Sequence, residues 1–256
     1  MTIEPDSTQA IYLYGFVPLH RFAPAMHGVD NTHSLELHGC SGLIAVVSLV
    51  QLVDFESIDS EDNAQYLAWL TPRAWRHSAV IDKVMEQGAI YPLSFGTLFS
   101  SVDALEQVMT QRSRNVSATL EHIADCQEWS LEVTVDRNQA VDNLLAEELS
   151  SGRVSLPEGS GRRHLEEQKL RRNLHTGLSD WIENALVTIY ESLQPMTRDA
   201  CQRKLSDQKV MHWAFLITDD AAASFLPHID QIIIDYQPFG FDFRLTGPWA
   251  AYSFAR

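Results

Sequence analysis

Imidazole is a base near neutral pH and a metal ligand, so the histidines are the first side chains to weigh. His20, His27, His33 and His38 fall close together near the N-terminus. Metal sites repeat their ligands at compact spacings, usually with cysteine or carboxylate partners. These four match no compact metal motif, no carboxylate is patterned with them, and several fall in loop-like text. They read as solvated or edge histidines. His77 has a different setting, sharing a helical-period stripe with Val80, Ile81 and Val84. A buried, hydrogen-bonded imidazole is the expectation there, with acid–base catalysis as the alternative. A small-molecule enzyme using His77 or the N-terminal histidines would need a pocket joining them to an acid or nucleophile. No spacing in the chain predicts one.

The other nucleophiles are equally unpatterned. Cys40, Cys126 and Cys201 are widely separated, and no C-x-x-C pair exists. Neither a zinc knuckle nor a redox dithiol is indicated, and reduced thiols suit a cytoplasmic protein. Gly39-Cys40-Ser41-Gly42 lacks the G-x-S-x-G order of a nucleophile elbow. Ser94–Thr97 (SFGT) lacks the lysine and glycine spacing of a phosphate loop. No catalytic, cofactor or metal residues are therefore expected.

Charge narrows the partners. The 256 residues hold 19 basic and 34 acidic side chains, for a net charge of −15. The balance is −9 up to Cys126 and −6 after it, so neither half carries a nucleic-acid or anionic-membrane footprint. The polar, acidic N-terminus has no basic n-region or apolar h-region, so a secretory signal is not expected. The longest apolar run, Leu43–Val50, is far too short to span a bilayer. One basic concentration stands out, with five Lys and Arg residues within Arg162–Arg172. Arg162–Glu166, Arg163–Glu167 and Glu167–Arg171 are each four apart, the pattern of a solvated helix face laced with ion pairs. The same residues, Arg162, Arg163, Glu166, Glu167 and Arg171, are also the candidate partner interface.

The elements that would position these residues fall into two sets. In the first, Ala10–Val17 reads as a buried strand with Gly15 as a weak point, and 18–32 as a loop. Leu35–His38 and Leu43–Val50 read as a hairpin around a glycine-flanked turn. Asp54–Asp62 is an acidic linker, and 62–87 a broken or kinked helical unit with Thr71 and Pro72 at a helix start. A strand near 92–99 and a helix over 102–125, capped by Ser100 or Ser101, complete it. In the second set, Trp129–Val135 alternates as a half-wet strand, and 138–150 reads as a helix. A glycine- and serine-rich loop leads to a helix running from Arg162, with Leu174, Leu178, Trp181, Ile182, Ala185 and Ile189 on its apolar side. After a polar connector (194–208), Val210–Thr218 is a strand and Asp219 or Asp220 caps a helix. A strand over Phe239–Leu245 ends at a Gly247-Pro248 turn.

Five segments in order (YLYGFV, the Trp69–Ser101 run, EWSLEVTVD, GRRHLEEQKL and LTGPWAAYSF) resemble the GvpL/GvpF family of gas vesicle proteins. Ala250 and Ala251 stand where prolines are common in that family's tail. The resemblance covers nearly the whole chain. With the element order it implies an α+β fold of two domains: an N-terminal α+β domain over 1–126 and a C-terminal, modified ferredoxin-like domain over 127–256. The second domain would carry a helical-hairpin insertion. The resemblance also implies an accessory role in building gas vesicles, the gas-filled protein shells that give cells buoyancy. The expected partners are the major, very apolar shell protein and other gas vesicle accessory proteins, with no nucleic acid and no membrane. The expected location is the gas vesicle or the cytoplasm, and the expected mode is binding without chemical turnover.

Overall fold

β1 (Gln9–Pro18) is buried almost end to end because it lies inside a sheet. The computed structural model describes residues 3–18, 25–56, 63–206 and 208–255. Among them, β2 (Glu36–Cys40), β3 (Leu43–Gln51), β1 and β4 (Tyr91–Pro92) form one sheet in that order, with β5 (Leu98–Phe99) also on β1. The β2–β3 turn places Ser41 at φ 51° and Gly42 at φ 81°. Two positive φ values in a two-residue turn match the right-handed twist of the strands it joins. Along β1 and β3 the antiparallel register runs from Gln9 opposite Gln51 to Pro18 opposite Leu43. It slips between Leu13 and Gly15, so Tyr14 is the extra residue of a bulge. Gly15 is there for space: a Cβ would lie 2.5 Å from the Tyr91 carbonyl oxygen.

Helices α1 (Val53–Glu56), α2 (Asn63–Met85) and α3 (Val102–His122) accompany this sheet. The expected linker is thus helical at its start, and its remainder, 57–62, lies outside the described residues. Helix α2 is continuous through Pro72, so Thr71 and Pro72 do not begin a helix. Proline removes one ladder bond. Trp69, just before it, packs edge-on against Phe55 and Phe95 and holds the preceding turns on the core. The strand expected over 92–99 is two short ones, β4 and β5, because Pro92 donates no ladder bond and Gly96 turns the chain at φ 84°. Ser101 caps α3, its Oγ accepting from the Ala104 N–H at 3.2 Å.

The second sheet has the order β7–β8–β6–β9, from β6 (Cys126–Val135), β7 (Asp199–Gln202), β8 (Lys209–Thr218) and β9 (Phe241–Trp249). Its core joins Leu131, Val133 and Phe215 to Val141 of α4 (Arg137–Ser150), Leu178 and Ile182 of α5 (Ser160–Leu193) and Phe225 and Ile229 of α6 (Asp219–Tyr236). Three local expectations need correction. The connector contains β7, an edge strand. Thr218, not an aspartate, caps α6, accepting from the Ala221 N–H at 3.3 Å. β9 continues through Gly247 and Pro248, where a turn was expected. An edge strand tolerates proline because one side needs no donor.

The residues cluster as two units, Met1–Glu128 with Pro248–Arg256, and Trp129–Gly247. The sequence pattern assigns everything after 126 to the second domain, whereas the C-terminal tail clusters with the first unit. The reason is local: Ala250, Ala251 and Ser253 are buried there. Ser253 gives both its backbone N–H and its hydroxyl to the Glu128 carboxylate, each at 2.7 Å.

Candidate functional site

A connected set of polar contacts in the first unit surrounds His77. Its Nδ1 lies 2.9 Å from the Tyr12 hydroxyl, which also accepts from the Gly96 N–H at 3.0 Å. The other ring nitrogen, Nε2, faces the Tyr252 hydroxyl at 3.4 Å. The ring stacks on Tyr14, with centroids 5.6 Å apart, and meets Tyr12 and Phe95 edge-on. Burial pushes the His77 pKa down to about 4, with a backbone contact to Leu93 opposing it. Burial likewise raises Tyr12 and Tyr252. All three are therefore neutral at neutral pH. Both ring nitrogens are occupied by tyrosines, an arrangement suited to ordering a core rather than moving a substrate proton.

Beside it, the bulge turns Tyr14 so that its hydroxyl accepts from the Val29 N–H at 2.6 Å and hydrogen-bonds Ser48 Oγ at 3.0 Å. Gly28 fits against this pair only because it has no side chain: a Cβ would lie 2.4 Å from Ser48 Oγ and 2.6 Å from the Tyr14 oxygen. Gly28→Ala is expected to destabilise the first unit by about 2 kcal/mol, as overpacking does. Urea denaturation of the two proteins side by side measures this.

The N-terminal histidines do not converge. His33 Nδ1 pairs with Asp30 at 2.5 Å, and His38 Nε2 with Glu106 at 2.9 Å. His27 lies at an isolated bridge with Ser34, and His20 falls outside the described residues. Among the described residues no group of three or more His, Cys, Asp or Glu is placed to hold a metal. The second unit holds a serine–histidine–glutamate set that composition alone would flag. Ser130 Oγ lies 3.3 Å from His212 Nε2, and Glu132 approaches that same nitrogen at 3.5 Å. Nδ1 instead faces the Lys204 carbonyl. A triad needs its acid on the far nitrogen, so this is a half-buried polar cluster, with Lys209 on Glu132 at 2.6 Å.

The basic block forms the N-terminal half of α5, where most side chains face solvent. Of the three expected ion pairs, Glu167–Arg171 is present at 3.4 Å. Arg162 and Arg163 make none among the described residues, because Glu166 engages Lys169 and Glu167 engages Arg171. In both pairs the glutamate precedes the cation, the order that helix geometry favours over the reverse. Arg171 also pairs with Asp142 of α4. Arg162 and Arg163 thus remain outward while Arg171 is held within the fold.

The family model described as gas vesicle synthesis protein GvpL/GvpF matches residues 10–256. The chain belongs to the GvpL/GvpF family. Gas vesicle protein L of a Streptomyces species is 25% identical over 228 residues, spanning 83% of this chain and 80% of that one. Gas vesicle protein F1 of Halobacterium salinarum is 21% identical over 250 residues, spanning 96% and 93%. Crystal structures of GvpF from an Anabaena species and from Microcystis aeruginosa share the fold, with TM-scores of 0.70 and 0.66. Identities are 16% and 19%, and each comparison covers at least 96% of both chains. Membership in GvpL/GvpF implies a role in gas vesicle assembly, and the mixed helix-and-sheet architecture with two sheets matches the GvpF structures.

Tyr12, Tyr252 and the Glu128–Ser253 clasp went unnoticed in the sequence. A tyrosine inside an apolar strand was the available signal, because a buried hydroxyl needs a partner. The LTGPWAAYSF ending identifies GvpL/GvpF as a motif, yet nothing in its letters names Glu128 as the group it binds.

Proposed function

We propose that this protein is an accessory factor that binds the apolar shell subunit of the gas vesicle and holds or delivers it during assembly, without chemical turnover. The observation that carries this reading is the gas vesicle synthesis family match across residues 10–256. The physical argument is solubility. An unassembled, apolar shell subunit exposes surface that aggregates. A partner of net charge −15 gives the complex a repulsive surface. The outward Arg162 and Arg163, on a helix face with little packing against it, support α5 as part of the contact surface. Glu166, Glu167 and Arg171 would set the conformation of that face.

The second unit is read as a modified ferredoxin-like domain. In chain order its strands are arranged 2-3-1-4, and α4 with the first part of α5 supplies the helical hairpin. The neutral, paired His77 supports binding over catalysis. The place of action is the cytoplasm at the growing vesicle, with other accessory proteins as further partners.

The test is dilution of denatured shell subunit into buffer with and without this protein, followed by turbidity. Stoichiometric suppression of aggregation is expected, and no suppression at excess contradicts the reading. Arg162→Glu with Arg163→Glu is expected to weaken capture of the shell subunit roughly tenfold, the scale of lost charge complementarity. Undiminished capture removes α5 from the contact surface. Washed vesicles that retain the protein would make it a minor component as well as a carrier.

A further inference from the structure

Glu183, Val187 and Glu191 recur at four-residue steps along α5 and so form one line on the helix, about 12 Å from first to last. All three face outward, and Val187 is 48% exposed. Beside this line lies a groove of about 370 Å³ between α5 and β8, floored by Leu186, Tyr190, Val210 and Trp213. The Tyr190 and Trp213 rings pack with centroids 4.4 Å apart, which stiffens the floor. Neither glutamate has an ion-pair partner among the described residues. Two unpaired carboxylates therefore bracket an uncovered valine over an aromatic floor. Water satisfies the carboxylates but not the valine or the rings. The complement is a surface with an apolar centre and a cation on each side.

We propose that this groove receives an amphipathic helix of a partner protein, one that carries lysine or arginine two turns apart on either side of an apolar stripe. Its apolar side chains cover Val187 and the Tyr190–Trp213 floor, and its cations meet Glu183 and Glu191. Two turns of helix span about 11 Å, close to the separation of the two carboxylates. The acidic rim turns away nucleic acid and anionic lipid. The groove is distinct from the Arg162–Arg163 face, whose charge is opposite, so the two surfaces select different partners.

The probe is a fluorescently labelled synthetic helical peptide with a leucine stripe and lysines at i and i+7, titrated with the full chain and read by anisotropy. A peptide of the same stripe with glutamates in place of the lysines is the control. The lysine peptide is expected to bind at least tenfold more tightly than the control and to weaken with added salt. Glu183→Gln with Glu191→Gln is expected to remove that preference, and Val187→Asp to weaken both peptides. Arg162→Glu with Arg163→Glu should leave lysine-peptide binding unchanged, which separates this groove from shell-subunit capture. Equal binding of the two peptides, no binding of either, or binding indifferent to the groove variants overturns the proposal. Free lysine competing as well as the peptide would make the site one for a small cation and also overturn it.

Discussion

Glu128→Ala is expected to lower the stability of the first unit by about 3 kcal/mol. The carboxylate is 2% exposed and accepts two 2.7 Å bonds, from the backbone N–H and the hydroxyl of Ser253. Hydrogen bonds to a charged group contribute about 1.5–3 kcal/mol each. Removing the acceptor also leaves a buried N–H in Ser253, itself only 7% exposed, without this partner. Ser253→Ala deletes just the hydroxyl and should cost about 1.5 kcal/mol. Glu128→Gln keeps one acceptor oxygen and should fall between the two. Urea midpoints at constant m-value give the comparison. A loss below about 1 kcal/mol for Glu128→Ala would show that the clasp does not hold the tail.

Acid should weaken the same unit through His77. Its folded pKa of about 4 lies below the unfolded value, because burial disfavours the imidazolium. The unfolded chain therefore takes up the proton first as pH falls. The stability from keeping His77 neutral is complete above about pH 6.5 and is lost progressively toward pH 4. The loss across that window is about 3 kcal/mol, one proton's worth of slope. Protonation also makes both ring nitrogens donors, so neither can accept from the tyrosine it faces. His77→Gln cannot titrate and should flatten this part of the profile while lowering stability at neutral pH. Denaturant melts at half-unit pH steps measure both curves. Parallel slopes in wild type and variant would assign the acid sensitivity elsewhere.

These two contacts also mark where reading the chain residue by residue stops. β1, β3, β6 and β8 are legible because apolar runs and alternation are properties of neighbouring residues. Helix α3 declares itself through Ser101 and its stripe, and α5 through its i,i+4 charges. β7 does not, since Asp199–Gln202 is a short polar edge whose strand character comes only from pairing with β8. Pro72 and Gly247-Pro248 mislead in the same way: their local preference for breaks and turns is overridden by packing on either side. The Tyr12–His77 bond joins residues 65 apart, and Glu128–Ser253 joins residues 125 apart. Spacing rules act over one or two helical turns, so neither pairing has a local signature. His77 itself is legible as a buried imidazole because its apolar neighbours at helical spacing are local. Within the basic block, side-chain order decides what spacing leaves open, for the reversed Arg–Glu pairs do not form.

Direct binding of the shell subunit is the central claim, and co-expression tests it most directly. This protein, affinity-tagged, is produced with the major gas vesicle shell protein, captured, and sized by light scattering on the eluate. The expected result is a soluble complex of defined mass containing both chains, from which the stoichiometry follows. Recovery of the tagged protein alone, with the shell subunit aggregated as it is without a partner, would contradict direct binding.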